Sequence, residues 1–429
     1  MTQPLPAAAP ALPELLGHAP ADWGVVFVFL LVYLGMFLGG LPRLKLDRSG
    51  VALLGAIAVI ALTGLPVEDA ARAVDLPTIV LLFAFMVVSA QMRLGGFYTE
   101  VTRRVGALPL SPAGLLAAII FVAGALSAVF SNDIICLAMT PVVARLCLRR
   151  GLDPLPFLVG LACAANIGSA ATLIGNPQNM LIGSVLQLHF GDYLRQALPP
   201  VLVSLALLWG WLVYGQGVRK GAPAPAEGVG ANAAEDEPTF DPWQTTKGLL
   251  VASALLLIFL FTNWPRDVAA LVGAGILLLS RRLHSSHVMG FVDWPLLLLF
   301  MGLFVVNHAF EATGLAAQAV AWLGAHGVAV ADPGAILVLG AALSNLVSNV
   351  PAVMLLLPHL GPQGANAGAM LALVSTFAGN LLLVGSIANL IVADLAAKQG
   401  IVIDWKRHAV IGLPITVASL AVVWGWMRL

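Results

Sequence analysis

Short polar clusters interrupt long apolar runs in this chain, and their residue types limit the chemistry they can do. They read Ser131-Asn132-Asp133, Asn166-Ile167-Gly168-Ser169 and Gly175-Asn176-Pro177-Gln178-Asn179, then Ser344-Asn345, Ser348-Asn349-Val350-Pro351, Gly379-Asn380 and Gly385-Ser386-Ile387-Ala388-Asn389. Amide and hydroxyl oxygens beside small residues suit a dehydrated cation or an oxyanion. No Lys or Arg stands in any cluster, so an anion would rely on the positive ends of half-helices that point inward. Asp133 is the one acid among them. A carboxylate at membrane depth is costly unless paired, metal-bound or protonated, which points to a proton-carrying or cation-carrying role; the alternative is a helix cap. A lone Ser or Asn in a membrane helix commonly bonds a neighbouring helix and nothing more. Repetition of the clusters in both halves is what points to function.

The elements that must position these clusters follow from composition. The chain has 429 residues, 60% hydrophobic and 10% charged, with mean hydropathy +0.95, a surface no water-soluble domain could expose. Lys plus Arg and Asp plus Glu both number 21, which gives no basic field for nucleic acid. Cys136, Cys147 and Cys163 form no CxxC pair and sit in apolar sequence, as packing residues do. Apolar runs long enough to cross a bilayer as helices lie near 24–42, 49–66, 73–91, 193–215, 247–263, 267–283, 293–310 and 408–427. Between them, 112–148 and 333–360 read as re-entrant hairpins with polar tips, and 155–190 and 366–398 as single crossings broken at mid-membrane. Backbone that leaves helical geometry there exposes N–H and C=O groups at several kcal/mol each, so the breaks are expected to line cavities. With this threading only Arg72, Arg195, Arg266 and Arg428 of the 21 basic residues fall on one side, and the other side is therefore cytoplasmic. The expected protein is a multi-pass bacterial inner-membrane protein with both termini external; residues 1–23 read as an external tail, since no cleavage site follows the first apolar run.

The halves repeat. Asp75 and Pro77 recur as Asp293 and Pro295 (75 + 218 = 293), Gly96 as Gly314, Ser131-Asn132 as Ser348-Asn349 (131 + 217 = 348), and Gly175 with Asn179 as Gly385 with Asn389 (175 + 210 = 385). Each half, 24–216 and 247–429, holds five crossings and one hairpin, so the second enters the membrane upside down. The fold class is an all-α polytopic membrane protein made of two inverted-topology repeats. Residues 217–246 between them are rich in Ala, Pro, Gly and acids, and read as a disordered cytoplasmic linker.

Hairpins tipped by Ser-Asn, each followed by a broken helix with a Gly-Asn-Pro-like unwinding, resemble the ion transporter superfamily of arsenite permeases, divalent anion/sodium symporters, citrate permeases and a sodium/proton antiporter branch. Asn132-Asp133 with Thr140-Pro141, and Ser348-Asn349-Val350-Pro351-Ala352-Val353, are closest to the arsenite permease branch. In the dicarboxylate branch the tip reads Ser-Asn-Thr, and Asp133 and Val350 stand in place of that Thr. The resemblance implies one cation-type site at Ser131, Asn132, Gly175 and Asn176, with Asp133 beside it, and a second at Ser348, Asn349, Gly385 and Ser386. Substrate would lie between the tips, among Ser131, Asn132, Asn166, Asn179, Ser348, Asn349, Asn380 and Asn389. It also implies a scaffold that dimerises and a transport domain that moves like an elevator.

The expected function is secondary transport of a small oxyanion or neutral oxyacid, arsenite-like, driven by a proton or sodium gradient and needing no cofactor. A sodium/proton antiporter with Asp133 as carrier is the rival. An intramembrane enzyme finds no support, since no HExxH and no Ser–His pair at compatible depth occurs; without a GxxxxGK[ST] loop the chain is no ATP-driven pump, though a cytoplasmic ATPase partner stays open. Asp75 and Asp293 read as helix N-caps, Asp394 as the partner of Lys398, and Trp23, Trp243, Trp264, Trp294, Trp405, Trp424 and Trp426 as interfacial anchors. His308 and Glu311, one turn apart near a span end, read as solvated polar residues.

Overall fold

The structure, a computed structural model, describes residues 19–41, 44–218, 239–361 and 364–428, and among them it is helical throughout. The first repeat runs α1 (Pro20–Leu38), α2 (Arg48–Thr63), α3 (Val67–Arg72), α4 (Leu76–Leu94), α5 (Phe97–Ala107), the hairpin α6 (Pro112–Ser127) and α7 (Asn132–Arg149), the broken pair α8 (Pro154–Ser169) and α9 (Pro177–Val185), and α10 (Phe190–Gly210). The second runs α11 (Pro242–Phe261), α12 (Arg266–Leu278), α13 (Ser285–Met289), α14 (Trp294–Ala312), α15 (Leu315–Ala325), the hairpin α16 (Pro333–Val347) and α17 (Asn349–Leu356), the broken pair α18 (Gly364–Ala378) and α19 (Ile387–Ala397), and α20 (Trp405–Trp426).

Among the described residues six helices, α1, α4, α10, α11, α14 and α20, are long and apolar enough to span a membrane. The runs at 49–66 and 267–283 are shorter than expected, giving 16 residues in α2 and 13 in α12. Thirteen residues rise about 20 Å. Gly64, left-handed at φ 65°, ends α2, and the polar Ser280-Arg281-Arg282 follows α12. Both short helices pack inward in a reciprocal way, α2 against α14 of the other repeat and α12 against α4. That exchange makes one scaffold out of two half-chains. Gly302 of α14 lets it close on α2, since a Cβ there would lie 2.7 Å from the Ala52 backbone.

Most of the predicted 217–246 linker lies outside the described residues, but its far end is ordered. Asp241 caps α11 by accepting from the Trp243 and Gln244 N–H groups at 2.9 and 3.2 Å, and its own N–H donates to Gly95 O at 3.0 Å. Helix therefore begins at Pro242, inside the predicted linker. Two short helices that the apolar runs did not reveal, α5 and α15, follow left-handed Gly96 and Gly314. On α5, Glu100 accepts from Arg103 and Arg104 at 2.8 Å each, and these bonds, led by that from Arg103, hold its carboxyl below the usual carboxylate range.

The hairpins and broken helices form a second body. In each repeat the first hairpin arm packs on the first half of the broken helix, α6 on α8 and α16 on α18. The second halves cross over: α19 packs on α7 and α8, and α9 on α17 and α18.

Candidate functional site

The breaks are built from helix-ending chemistry. Pro177 lacks an N–H and is suited to the first position of a helix, and Asn176 caps it by accepting from Asn179 N at 2.9 Å. The seven residues between α8 and α9 are held open by side chains that take over the orphaned carbonyls. Asn179 Nδ2 donates to Thr172 O at 2.9 Å, and at the matching place Asn389 Nδ2 donates to Leu382 O at 3.1 Å and to Gly379 O at 2.9 Å. Both amides therefore brace their own breaks. Of these two predicted substrate ligands, Asn389 gives its N–H groups to the backbone, and Asn179 also donates to the Tyr193 hydroxyl at 3.0 Å and leaves its Oδ1 unpartnered among the described residues.

Asn166, in the last turn of α8, is the hub. Its Oδ1 accepts from Asn132 Nδ2 of the first hairpin tip and from Ser386 Oγ of the second break, both at 3.0 Å. Its Nδ2 donates to Asn380 Oδ1 at 2.8 Å and to Asn389 Oδ1 at 3.2 Å. The residue matching Asn166 in the second repeat is Thr376 (166 + 210 = 376), and Asn176, the match of Ser386, donates to it at 3.4 Å. Gln178 Nε2 joins Thr376 Oγ1 at 3.1 Å. So the break residue of each repeat bonds the helix-end residue of the other. Thr376 was not picked out by sequence reading, although the 210-residue offset leads directly to it from Asn166; Gln178 was read only as a member of the Gly175–Asn179 cluster.

The tips close on the breaks through glycine. A Cβ at Gly175 would lie 2.7 Å from Ser127 O and still closer to Ser169 O, and one at Gly385 would lie 2.9 Å from Asn345 Oδ1 and 3.0 Å from Gly379 O. Around these contacts Ser127 Oγ, Asn132 Oδ1, Ser344 Oγ, Asn345 Oδ1 and Asn349 Oδ1 are buried and lack a hydrogen-bond partner among the described residues. Bare oxygens beside small residues are what a dehydrated cation coordinates. The unpartnered donor at the hub is Asn380 Nδ2. Ser131 and Ser348 are half-buried at the two tips, and neither caps the helix that follows it. Asp133, in the first turn of α7, makes no capping hydrogen bond either.

Asp75 and Asp293 are the N-caps expected, accepting from Thr78 N at 2.8 Å and Leu296 N at 3.0 Å. Each also faces a cavity where scaffold meets the second body. On the Asp75 side about 720 Å³ opens between Asp75, Asn307, His308 and Glu311 on one wall and Leu181, Met354 and Leu357 on the other. On the Asp293 side about 380 Å³ lies among Arg48, Asp293, Ile387 and Leu390. His308 and Glu311 line this cavity and are exposed, as solvated polar residues are. Asp394 pairs with Lys398 at 3.1 Å, and all three cysteines are buried and free.

Comparison with known proteins agrees with this architecture. The profile of the citrate transporter family, CitMHS, matches residues 29–378. An uncharacterized transporter of Mycobacterium tuberculosis is 30% identical over 384 residues, 83% of this chain and 87% of that protein. A silicon efflux transporter of Oryza sativa subsp. japonica is 28% identical over 457 residues, 89% of this chain and 92% of its own. The YdaH transporter of Alcanivorax borkumensis shares the fold, with TM-score 0.61 at 14% identity across 95% of this chain and 98% of that one. With six membrane-length helices and a family profile over most of its length, the chain is a multi-pass membrane transporter and not an enzyme, and it belongs to the citrate transporter family.

Proposed function

We propose that this transporter moves a small neutral oxyacid or oxyanion, of the arsenious or silicic acid kind, across the bacterial inner membrane, coupled to sodium or protons. One observation carries the reading: among the described residues, the side chains that meet at Asn166 are amides and a hydroxyl, and none of them is Lys or Arg. A citrate trianion would lose its hydration there against no formal positive charge, a cost of several kcal/mol or more. An uncharged polyhydroxy acid needs only donors and acceptors in alternation. The silicon efflux role named for the rice relative is in line with that choice. The unpartnered oxygens at the tips fit sodium, and Asp133 adds a group able to carry a proton.

The two cavities support an elevator-like displacement. Asp75 accepts a hydrogen bond from Ser184, the eighth residue of α9, at 2.9 Å. The symmetric partner of Asp293 would be Asp394 (184 + 210 = 394), yet Asp293 shares its cavity with Ile387 and Leu390, at the start of α19. Seven residues of helix amount to about 10 Å. Relative to a symmetric arrangement, the hairpins and broken helices are shifted toward Asp293, the cytoplasmic side in the orientation with both termini external. Exchange of the two repeats' roles would carry Asp394 up to Asp293, and the scaffold helices would form the homodimer contact.

Uptake into proteoliposomes of arsenious acid, silicic acid and citrate, each with and without sodium, tests the substrate class. Competitive citrate uptake would sink the neutral-oxyacid reading, and a sodium-dependent internal pH change without any substrate would replace it by antiport. Cysteine pairs test the displacement: Asp293→Cys with Ile387→Cys and Asp293→Cys with Asp394→Cys should both cross-link if the body travels. If only the first pair cross-links during turnover, the body does not move.

A further inference from the structure

Two buried rings outside the polar clusters occupy equivalent places in the repeats. Tyr193 is the fourth residue of α10 and His408 the fourth residue of α20, the spans that follow the two breaks. The Tyr193 hydroxyl donates to Ala170 O at 2.7 Å, and His408 Nε2 lies 3.0 Å from Asn380 O. Ala170 and Asn380 are themselves equivalent (170 + 210 = 380). Each carbonyl sits just past the end of a half-helix, where no backbone N–H remains to reach it. A carbonyl accepts only, so His408 must present Nε2–H. The two contacts differ in one respect: the phenol also accepts from Asn179 Nδ2 at 3.0 Å, so it ties both ends of its break, whereas the imidazole holds one.

What His408 holds is the backbone of Asn380, whose side chain accepts from Asn166 and carries the unpartnered Nδ2 of the hub. Turning that peptide would swing the donor out of the network. Tyr193 holds the break that contains Gly175 and Asn176, beside the bare oxygens of the first tip.

We infer that Tyr193 and His408 are a matched pair of positioning residues, each clamping the equivalent carbonyl just past the first half-helix of its repeat: Tyr193 sets the geometry of the cation-type site and His408 aims the Asn380 amide at the transported oxyacid. This rests on the proposed function for its ligands, but not for the clamps themselves, so two kinds of readout are needed. Hydrogen exchange on purified protein without ligand reads the clamps. Tyr193→Phe should speed exchange about tenfold or more within 170–176 alone, and His408→Leu within 379–386 alone, while His408→Gln, which keeps a donor, restores protection. Unchanged exchange, or equal acceleration of both breaks, would overturn the clamp assignment whatever the substrate. Uptake of arsenious acid then reads the roles. His408→Leu should raise its KM about tenfold with Vmax within twofold and His408→Gln should recover it, and Tyr193→Phe should raise the sodium concentration for half-activation while leaving that KM alone. A common fall in Vmax with both constants unchanged would reduce the rings to packing. Clamps that pass the exchange test in a protein that takes up no arsenious or silicic acid would leave the pair standing and remove the proposed substrate class instead.

Discussion

The two breaks differ at the start of their second half-helices: Asn176 caps the first with its side chain, and Ser386 gives the second no cap. Ser131 sits at φ −57°, ψ 130°, an ordinary extended conformation, whereas Ser348 sits at φ 78°, ψ 160°, a region populated almost only by glycine. Asn176 caps α9 over Pro177, while Ser386 begins α19 with no side-chain cap and gives its hydroxyl to Asn166. Three of the unpartnered tip oxygens, on Ser344, Asn345 and Asn349, belong to the second hairpin. Unmet hydrogen-bonding capacity is thus present in both halves, and backbone strain at the tip is confined to the second. Duplication supplied the symmetry, and divergence at a few positions left the two tips unequal.

The comparison can be broken first at the glycines. Gly175→Ala drives a methyl group into two backbone carbonyls, whereas Gly385→Ala meets the Asn345 side chain and one carbonyl more loosely. Transport should fall at least a hundredfold in the first and markedly less in the second, measured as initial uptake in proteoliposomes at matched protein; equal losses would mean the repeats are equally rigid. Asp133 sharpens the same contrast, because Val350 holds the matching place (133 + 217 = 350). Asp133→Asn should keep substrate binding and flatten the pH dependence of transport across neutral pH. Retention of the wild-type pH profile would assign the coupling proton elsewhere. The smallest effect is expected at Ser348. Replacing it by Gly removes the left-handed strain and should stabilise the ligand-free protein by about 1 kcal/mol, a rise of a few degrees in Tm, while Ser131→Gly should give no gain. A Tm lowered by Ser348→Gly would show that the tip is not strained.

Much of this was legible in the sequence because polar residues stand out against apolar helices. The near-constant offsets exposed the repeat, and Asn132, Asn166, Asn380 and Ser386, chosen from composition and motif, meet at one hub. What stayed hidden was pairing. That the amides of Asn179 and Asn389 hold carbonyls of their own breaks is not readable from residue type, and Tyr193 and His408 look like ordinary span residues because each reaches a backbone carbonyl. The shortness of α12 was masked by Leu279, which carries the apolar run of Leu277 and Leu278 past the last helical residue.

The hub at Asn166 also bears on how the protein is made. Its amide partner Asn380 lies 214 residues further along the chain. At roughly 5–20 residues per second, a ribosome needs on the order of 10–40 s to deliver that partner after α8 has entered the translocon. For that interval the first repeat carries unpaired amides in an apolar setting, so it must remain beside the insertion machinery or a lipid-facing chaperone. A ribosome that stalls between the repeats would release a half-protein with open hydrogen-bonding groups, an obvious mark for a membrane protease.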